Sequence, residues 1–460
     1  MAASEAGDNS WSARPRDGTP RSVSVLAATA LVVANMIGVG VFTSLGFQVK
    51  DIPSGFSVLL LWAIGGIVAL CGAVAYAELG AMFPRSSGEY NFLSRAFHPA
   101  VGFMAGFVSA TVGFAAPVAL SAMAFGQYGA VVLPSVSSRV LAVAVVWLVS
   151  LVQLGGVKHS SRFQLVSTIL KVGLIAAFLV AGAALRTPQP VSFAPALSDL
   201  GLITSGPFAI GLVFVMYAFS GWNAATYIIG EMHAPEQSLP RSLLAGTGIV
   251  LVLYIALNAI FLLAAPIASL AGQLQVASIA GSYIFGEFGG QLVAAMICIG
   301  LVPSIAAMMW IGPRVTMTMG EDVPALAVFA RRSRGGAPIY ALLFQLAVAN
   351  LMLLTDSFEA VLDFIQFALL ACSFLTVLGL FKLRVTHPDL ARPYRAWGYP
   401  LTPAVFLLVT AFMMYYLFAQ RPLQAGLGSL VMLCGLLIYL LAHRHPGGKA
   451  AAAYPGHEMR

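Results

Sequence analysis

Two glycines with one residue between them interrupt the first long apolar run of the chain. Gly38 and Gly40 flank Val39 in a stretch that otherwise predicts a membrane-spanning helix over about residues 23–47. Glycine has no Cβ atom, so the backbone can leave the helix here, provided that protein or a wet cavity receives the released groups. Released N–H groups at the start of the second half-helix would bind an anion, aided by the helix dipole. The alternative is that the small residues only allow close helix packing.

A second apolar run, over about residues 206–230, is interrupted in a similar way. Its centre reads Val215-Met216-Tyr217-Ala218-Phe219-Ser220-Gly221-Trp222-Asn223-Ala224, with small residues between aromatic ones and an asparagine inside the span. The two interrupted runs are the first and the sixth of the chain. Interrupted helices at corresponding positions of two halves are typical of inverted-repeat transporters with a substrate site at the middle of the membrane.

Lys171 is the one cation deep inside a predicted span, in Ser167-Thr168-Ile169-Leu170-Lys171-Val172-Gly173-Leu174. A lysine at the centre of a helix costs roughly 2.5–3.5 kcal/mol on insertion scales, so it should face a cavity or partner carbonyl groups. A role in proton titration, or one in which the ammonium substitutes for a metal cation, is then physically available. The alternative is that the side chain extends toward the headgroups of the lipids.

The composition indicates the environment of these residues. The 460 residues are 59% hydrophobic and only 9% charged, with a mean hydropathy of +0.89, whereas about a quarter of a soluble domain is charged. The sequence therefore predicts an all-α polytopic membrane protein. The basic residues are scattered among short loops, so the net charge of +7 does not predict nucleic-acid binding. The four cysteines all fall inside apolar runs and predict neither disulfides nor a zinc site, and we expect no metal and no cofactor. They are Cys71, Cys298, Cys372 and Cys434.

Twelve apolar runs are long enough to span a bilayer. They cover about residues 23–47, 56–82, 99–130, 137–155, 163–184, 206–230, 242–266, 287–312, 338–355, 359–381, 398–419 and 424–443. We expect a single transmembrane domain over residues 23–443. Residues 1–22, polar and rich in Ser and Arg, are predicted to be a disordered cytoplasmic tail, and residues 444–460 a second cytoplasmic tail.

The Lys and Arg residues of the loops predict the orientation of these spans. With the N-terminus inside, nineteen of them fall on the cytoplasmic side and four outside, so both termini are predicted to be cytoplasmic. The four outside are Lys50, Arg139, Arg186 and Arg421. The nineteen inside are Arg14, Arg16, Arg21, Arg85, Arg95, Lys158, Arg162, Arg241, Arg314, Arg331, Arg332, Arg334, Lys382, Arg384, Arg392, Arg395, Arg444, Lys449 and Arg460.

Five stretches resemble the amino acid–polyamine–organocation (APC) superfamily of transporters, nearest its L-type and bacterial small-neutral-amino-acid branch. They are Ile37-Gly38-Val39-Gly40-Val41-Phe42, residues 77–90, Ser220-Gly221-Trp222-Asn223, residues 231–241 and residues 392–400. The resemblance covers about residues 23–443. It implies the leucine-transporter fold, with helices 1–5 and 6–10 as inverted repeats, helices 11 and 12 appended, and helices 1 and 6 unwound at the middle of the membrane.

The resemblance also implies a substrate site at Gly38, Gly221 and the residues beside them. The carboxylate of the substrate would bind the backbone N–H groups around Val39, Gly40 and Val41. Its amine would meet carbonyl groups near Ile37 and those of Tyr217, Ala218 and Ser220. These assignments are carried over from the family position by position.

Three further roles come from the same resemblance. Tyr217 lies where the family places an aromatic lid over the ligand, and Asn223 at a polar position that couples helix 6 to its neighbours. Lys171 aligns with a helix 5 lysine that occupies the place of a sodium ion in sodium-independent members, where it would hold helix 1 against helix 8.

Three departures from the family pattern are visible. Val39 is bulkier than the Ser or Ala that the family often has between the glycines, so it narrows the pocket. Met319-Gly320-Glu321-Asp322 replaces the Arg-Asp-Gly that usually follows helix 8. The loop over residues 131–139 has no cysteine, so the disulfide that tethers mammalian L-type members to a heavy chain is not expected.

These features predict a sodium-independent secondary transporter of L-amino acids, small or medium neutral ones, in the inner (plasma) membrane of a bacterium. Neutral substrates are favoured because no acid is positioned near either interruption to meet a cationic side chain. Alternating access would run as exchange if Lys171 stays charged and as proton symport if it titrates, and both remain open.

Two other functions compete with this one. A carrier of polyamines or cationic amino acids would need carboxylates facing the pocket from helices 1, 3, 6 or 8. A membrane sensor that binds an amino acid without moving it would be supported by an appended signalling domain. An enzyme is not predicted, because the sequence has no H-E-x-x-H motif, nucleophile elbow or P-loop.

Overall fold

The computed structural model describes residues 23–84, 88–154, 161–322, 324–332 and 338–444. Within these residues the structure is helical, and its only β-structure is one isolated parallel bridge between Val23 and Met232. The helices are α1 (Val25–Met36), α2 (Gly40–Asp51), α3 (Gly55–Met82), α4 (Glu89–Ala96), α5 (Pro99–Val108), α6 (Ala115–Val132), α7 (Ser138–Leu154), α8 (Ser161–Ala183), α9 (Leu197–Ile203), α10 (Gly206–Ala218), α11 (Pro235–Ala264), α12 (Ile267–Leu270), α13 (Val276–Asp322), α14 (Ile339–Leu353), α15 (Phe358–Thr386), α16 (Leu401–Gln420) and α17 (Pro422–Arg444).

Three segments have other helical geometries. A π-helical turn over Ser109–Gly113 joins α5 to α6, and 3-10 helices cover Ala224–Glu231 and Pro324–Ala330. The predicted tails 1–22 and 445–460 lie outside the described residues. Arg444, which the sequence places in the second tail, is the last residue of α17.

Among the described residues, seven helices are long and apolar enough to cross a membrane, and counting two bent helix pairs as one span each raises this number to nine. The bent pairs are α1–α2, with a bend of 42°, and α9–α10, with a bend of 69°. Three shorter apolar helices are Ser138–Leu154, Ile169–Ala183 and Ile339–Leu353. The protein is therefore an all-helical, multi-pass integral membrane protein.

The first span leaves the helix between Met36 and Gly40. The N–H of Ile37 still donates to the carbonyl of Val33 at 2.9 Å, but the N–H of Gly38 turns back to the carbonyl of Met36 at 2.7 Å. The helical hydrogen-bond ladder is thereby interrupted, and α2 starts afresh at Gly40. The interruption falls on the two glycines, where the backbone has the most freedom.

The sixth apolar run also contains an interruption. Helix α10 starts with Ser205 as its N-cap, whose hydroxyl accepts from the N–H of Phe208, and it ends at Ala218. Gly221 follows in a left-handed conformation, with φ of +100°. The chain then continues as the 3-10 helix Ala224–Glu231. The second part of this run therefore differs from the α-helix that the sequence predicts.

Helix α13 differs most from the sequence prediction. The predicted span covered residues 287–312, whereas α13 runs from Val276 to Asp322 and bends at Gly286, which has φ of +79°. The bend joins residues 276–285 to the predicted span that follows them. The left-handed φ at Gly286 favours glycine.

Contacts across the bundle define a face that we call the N-terminal face. It contains the start of α1, the end of α3, α4, the end of the 3-10 helix Ala224–Glu231, and the end of α15. The Val23–Met232 bridge joins two of these elements. An ion pair between Glu78 of α3 and Arg384 of α15 joins two others. On the opposite face, the carbonyl of Gly46 in α2 accepts a hydrogen bond from the N–H of Gly272 at 2.8 Å.

Candidate functional site

The two interruptions lie against each other. A Cβ atom added to Gly40 would lie 2.5 Å from the Cα of Ala218, at the end of α10. A Cβ atom added to Gly221 would lie 3.0–3.1 Å from atoms of Asn35, near the end of α1. Both glycines are therefore required by close approach of the backbones, and Gly221 is also required by its positive φ.

Gly38 differs from Gly40 in its surroundings. A Cβ atom added to Gly38 would meet only the carbonyl oxygen of Met36, at 3.8 Å, which is ordinary van der Waals contact. The first glycine of the pair thus provides freedom for the turn, whereas the second provides room for Ala218.

Tyr254 of α11 holds the two interruptions together, although no pattern in the sequence singles it out. Its hydroxyl donates to the carbonyl of Met36 and lies 3.2 Å from the carbonyl oxygen of Ala218. The side chain is fully buried, and its ring packs edge-on against Trp62 and Phe219 at centroid distances of 5.5 and 5.1 Å. A hydroxyl shared between these carbonyls fixes the spacing of the two broken segments.

Three backbone N–H groups at the start of α2 have no backbone acceptor within the part of the chain that the structure describes. They belong to Val39, Gly40 and Val41, the residues predicted to bind the substrate carboxylate. All three residues are buried. The first N–H groups of a helix have no partner inside it, and the helix dipole adds positive potential at the same end. This end of α2 therefore has the chemistry of an anion site.

The carbonyl groups predicted to meet the amine fall into two pairs. The carbonyl of Tyr217 accepts the N–H of Ser220 at 2.9 Å, and that of Ala218 accepts from Tyr254. The carbonyls of Ile37 and Ser220 accept no hydrogen bond among the described residues. Two acceptors are thus available for an ammonium group, one from each interruption.

Tyr217 lies at the end of α10 and is almost completely buried. Its ring packs edge-on against Phe358 of α15 at 6.1 Å, and Phe358 stacks on Phe47 of α2 at 5.7 Å. These rings connect the end of α10 and the start of α15 with the C-terminal half of α2.

Lys171 of α8 faces α13, the helix that contains the predicted eighth span. Its ammonium donates to the hydroxyl of Ser304 at 2.6 Å, and its side chain lies against Gly300, where an added Cβ would meet it at 3.3 Å. Within the described ranges, no hydrogen bond joins it to α1 or α2. The expected link to helix 1 is therefore not a direct one in this conformation.

Asn223 has local contacts. Its carbonyl accepts from both the N–H and the hydroxyl of Thr226, at 2.9 and 2.7 Å. It therefore supports the start of the 3-10 helix, while its assignment as a coupling residue remains a prediction.

Helix α2 is also held on the side away from α1. The hydroxyl of Tyr128 in α6 donates to the carbonyl of Phe42 at 2.7 Å. The hydroxyl of Ser44 and the side-chain amide of Gln48 donate to carbonyls of α10 at 3.4 and 3.2 Å. Helix α2, with the backbone N–H groups at its start, is thus positioned by α6 and α10.

No group of three or more His, Cys, Asp or Glu side chains in the described ranges is arranged to hold a metal ion. The four cysteines are free, and each lies within a helix: Cys71 in α3, Cys298 in α13, Cys372 in α15 and Cys434 in α17.

Comparison with known proteins places this sequence in a family. The family model described as amino acid permease matches residues 23–441. Asc-type amino acid transporter 1 of Mus musculus is 26% identical over 440 residues, which cover 92% of this chain and 81% of the relative. The b(0,+)-type amino acid transporter 1 of Mus musculus is 26% identical over 438 residues, or 92% and 88% of the two chains.

A third relative is named as one subunit of a transporter. Large neutral amino acids transporter small subunit 2 of Homo sapiens is 24% identical over 437 residues, covering 92% of this chain and 80% of the relative. The relatives named above are amino acid transporters. The chain therefore belongs to the amino acid permease family of the APC superfamily.

Proposed function

We propose that this protein is a sodium-independent secondary transporter of small or medium neutral L-amino acids that works by alternating access. We also propose twelve spans, made up of the seven long apolar helices, the two bent spans and the three shorter apolar helices. Spans 1–5 and 6–10 would form inverted repeats with the interruptions at the middle of the membrane. The distribution of Lys and Arg supports cytoplasmic termini, and a bacterial inner membrane would suit such a carrier.

One observation carries this proposal: at two interruptions in contact lie backbone groups of opposite polarity that have no hydrogen-bond partner among the described residues. The N–H groups of Val39, Gly40 and Val41 can bind a carboxylate, and the carbonyls of Ile37 and Ser220 can bind an ammonium group. A free amino acid is a zwitterion that carries both. The site thus matches the part that all L-amino acids share, which fits a family of amino acid transporters.

The size and charge of the substrate follow from the surroundings of the interruptions. The backbone of Gly40 lies against Ala218, and Val39 and Tyr217 are buried beside it, which leaves room for a small side chain. The side chains that contact the interruptions (Asn35, Ala218, Tyr254) are uncharged. These contacts support neutral substrates over polyamines or cationic amino acids.

The ammonium of Lys171 supports independence from sodium. It lies between α8 and α13, at the position where the family resemblance implies a sodium site in other members, and it is 7% exposed. While it is protonated, this ammonium places a positive charge where a bound cation would otherwise lie. Exchange and proton symport both remain compatible with it.

The chain would work without a disulfide-linked partner. None of its four cysteines lies in a loop between helices, so none is placed to bond to a second chain outside the membrane. Non-covalent association with another subunit, as the name of one relative implies for that relative, is open to a test of the size of the purified protein.

The proposal is tested by uptake into proteoliposomes. We expect labelled alanine, serine or leucine to be taken up equally with and without sodium, and faster when unlabelled amino acid is inside. Labelled lysine and putrescine test the polyamine and cationic alternative. Binding of an amino acid without any uptake would instead support the sensor alternative.

Two glycine variants make the test specific for the site. Gly40→Ala should abolish or strongly reduce uptake, because its Cβ would meet the backbone of Ala218 at 2.5 Å. Gly38→Ala adds the same methyl group two residues away, where only a contact of 3.8 Å results, so it should retain most of the uptake. Equal effects of both substitutions, or no uptake of any amino acid by folded wild-type protein, would contradict the proposal.

A further inference from the structure

Glu89 is a buried carboxylate at the N-terminal face, in the first turn of α4. It is 6% exposed. The hydroxyls of Tyr76 in α3 and Ser373 in α15 both donate to its Oε1 atom, the second at 2.8 Å. Its other oxygen, Oε2, has no hydrogen bond among the described residues. One carboxylate thus connects three elements of the N-terminal face.

The groups that surround Glu89 bring no positive charge in the described part of the structure. None of the ion pairs among the described residues includes Glu89. The titratable side chains within electrostatic reach are Tyr76 of α3, Tyr227 of the 3-10 helix and Cys372 of α15, all uncharged near neutral pH. Arg95, on the same helix, contacts Asn91 and the ring of Phe83.

Burial, with no counter-charge among the residues that the structure describes, has a direct consequence for Glu89. Loss of water around the carboxylate raises the pKa of Glu89 above its ordinary value, and the hydroxyls of Tyr76 and Ser373 lower it again in part. Protonation is therefore easier for this carboxyl group than for one in water. The energy of the charged form depends on whether water can reach it.

The position of Glu89 connects its charge to the opening of the N-terminal face. A Cβ atom on Gly88, the preceding residue, would lie 2.7 Å from the ring of Tyr227. Tyr227 belongs to the 3-10 helix that follows the second interruption, and Met232 after that helix forms the bridge with Val23. Separation of α1 from this helix would therefore disturb the contacts that cover Glu89.

We propose that Glu89 is a proton-binding site that controls how readily the N-terminal face opens. This inference rests on the proposed transport function and adds a regulation to it. In the closed state the buried site favours the protonated carboxyl, with the proton on Oε2. Opening admits water, which favours the carboxylate and returns the proton to the solution. Protons on this side of the membrane hold the face closed.

The test is amino acid counterflow in proteoliposomes, with the pH varied on the side of the N-terminal face and held constant on the other. The wild-type counterflow rate should fall about threefold when the pH is lowered by one unit through the midpoint of the Glu89 titration. Glu89→Gln, which keeps an oxygen acceptor but no charge, should be insensitive to this pH and stay at the rate that the wild type has at low pH.

Two further variants separate Glu89 from other titrating groups, including Lys171. Tyr76→Phe and Ser373→Ala each remove one donor to the carboxylate, so each should move the midpoint up by about one to two pH units. Neither residue contacts Lys171, whose hydrogen bond is to Ser304. Asp389→Asn neutralises an exposed carboxylate after α15 and should keep the wild-type profile.

The outcomes distinguish this inference from the transport proposal. No transport by wild-type protein at any pH contradicts the transport proposal itself. Transport with a flat pH profile in the wild type, or with a wild-type profile in Glu89→Gln, overturns the assignment of Glu89. Should Glu89→Gln fail to fold, unchanged midpoints in both Tyr76→Phe and Ser373→Ala overturn it equally.

Discussion

Glu78 of α3 and Glu89 of α4 are two buried carboxylates, and they differ in the charge around them. Glu78 is paired with Arg384, whose guanidinium donates to both of its oxygens at 3.0 and 2.5 Å. Arg392 lies 3.4 Å away, and the N–H of Ala396 donates at 2.6 Å. Glu89 has two neutral hydroxyls instead.

The difference separates a structural tie from a titrating group. Glu78 joins α3 to the end of α15 and to the segment before α16, and its charge is balanced by two guanidinium groups. A buried ion pair of this kind is costly to break, because removal of one partner leaves the other charge without compensation. No positive charge among the described residues balances Glu89 in this way, so a proton can neutralise it.

Glu78→Gln should produce the largest effect among changes at this face. It leaves the guanidinium groups of Arg384 and Arg392 without their carboxylate, and breaking a buried pair costs about 3–5 kcal/mol. We expect a large drop in the apparent melting temperature of the protein in detergent. A drop no larger than that of Glu89→Gln would contradict the contrast between the two sites.

Arg384→Lys should produce the next largest effect. Lysine retains the positive charge but cannot donate to both oxygens of Glu78 in the geometry of a guanidinium. It also loses the stacking of Arg384 on the ring of Tyr399, at 3.8 Å. We expect a loss of about 1.5–3 kcal/mol, the value of a hydrogen bond to a charged group. Thermal melting beside Glu78→Gln checks the order.

Glu89→Gln should change stability by about 1 kcal/mol or less, because the amide oxygen still accepts both hydroxyls. Its effect should depend on pH. The pKa of Glu89 is raised in the folded state, so the wild type is stabilised by protonation below the ordinary glutamate pKa of about 4.3. This stability is lost as the pH rises through the raised value. The melting temperature of the wild type should therefore fall relative to the variant as the pH increases. A constant difference between the two would contradict the prediction.

Glu321→Gln should produce the smallest effect and serves as the exposed counterpart of Glu78. Glu321 and Arg332 form an ion pair at 2.9 Å, but their side chains are 46% and 54% exposed. Exposed pairs contribute about 0–1 kcal/mol and are screened by salt. Melting at low and high ionic strength should show little change, whereas a loss close to that of Glu78→Gln would show that burial does not explain the contrast.

Much of the fold could be predicted because it depends on local composition. The run of apolar residues from Gly55 to Met82 predicts α3 almost to the residue, since a membrane helix satisfies all its backbone groups within its own segment. The position of the first interruption also depends on local sequence, because Gly38 and Gly40 give the backbone its conformational freedom at that point. The extent of α13 was not predictable in this way, because Gly286 bends the helix without ending it.

The candidate site was predictable in its backbone and not in its side chains. The N–H groups at the start of α2 follow from where the helix restarts. The role of Tyr254, a polar residue within the apolar run of α11, depends on two carbonyls far away in sequence, and no spacing along the chain identifies them. The 3-10 geometry of Ala224–Glu231 likewise depends on packing around a segment whose composition is also that of an α-helix.

By itself, the sequence determined that the chain crosses a membrane many times and that two of its apolar runs can open at glycines, because hydropathy and backbone freedom belong to single residues. Only the tertiary structure decided which groups meet. Arg384 reaches Glu78 across 306 positions, and no arginine or lysine of the described residues pairs with Glu89. Whether a buried charge is balanced depends on the neighbours that folding brings to it.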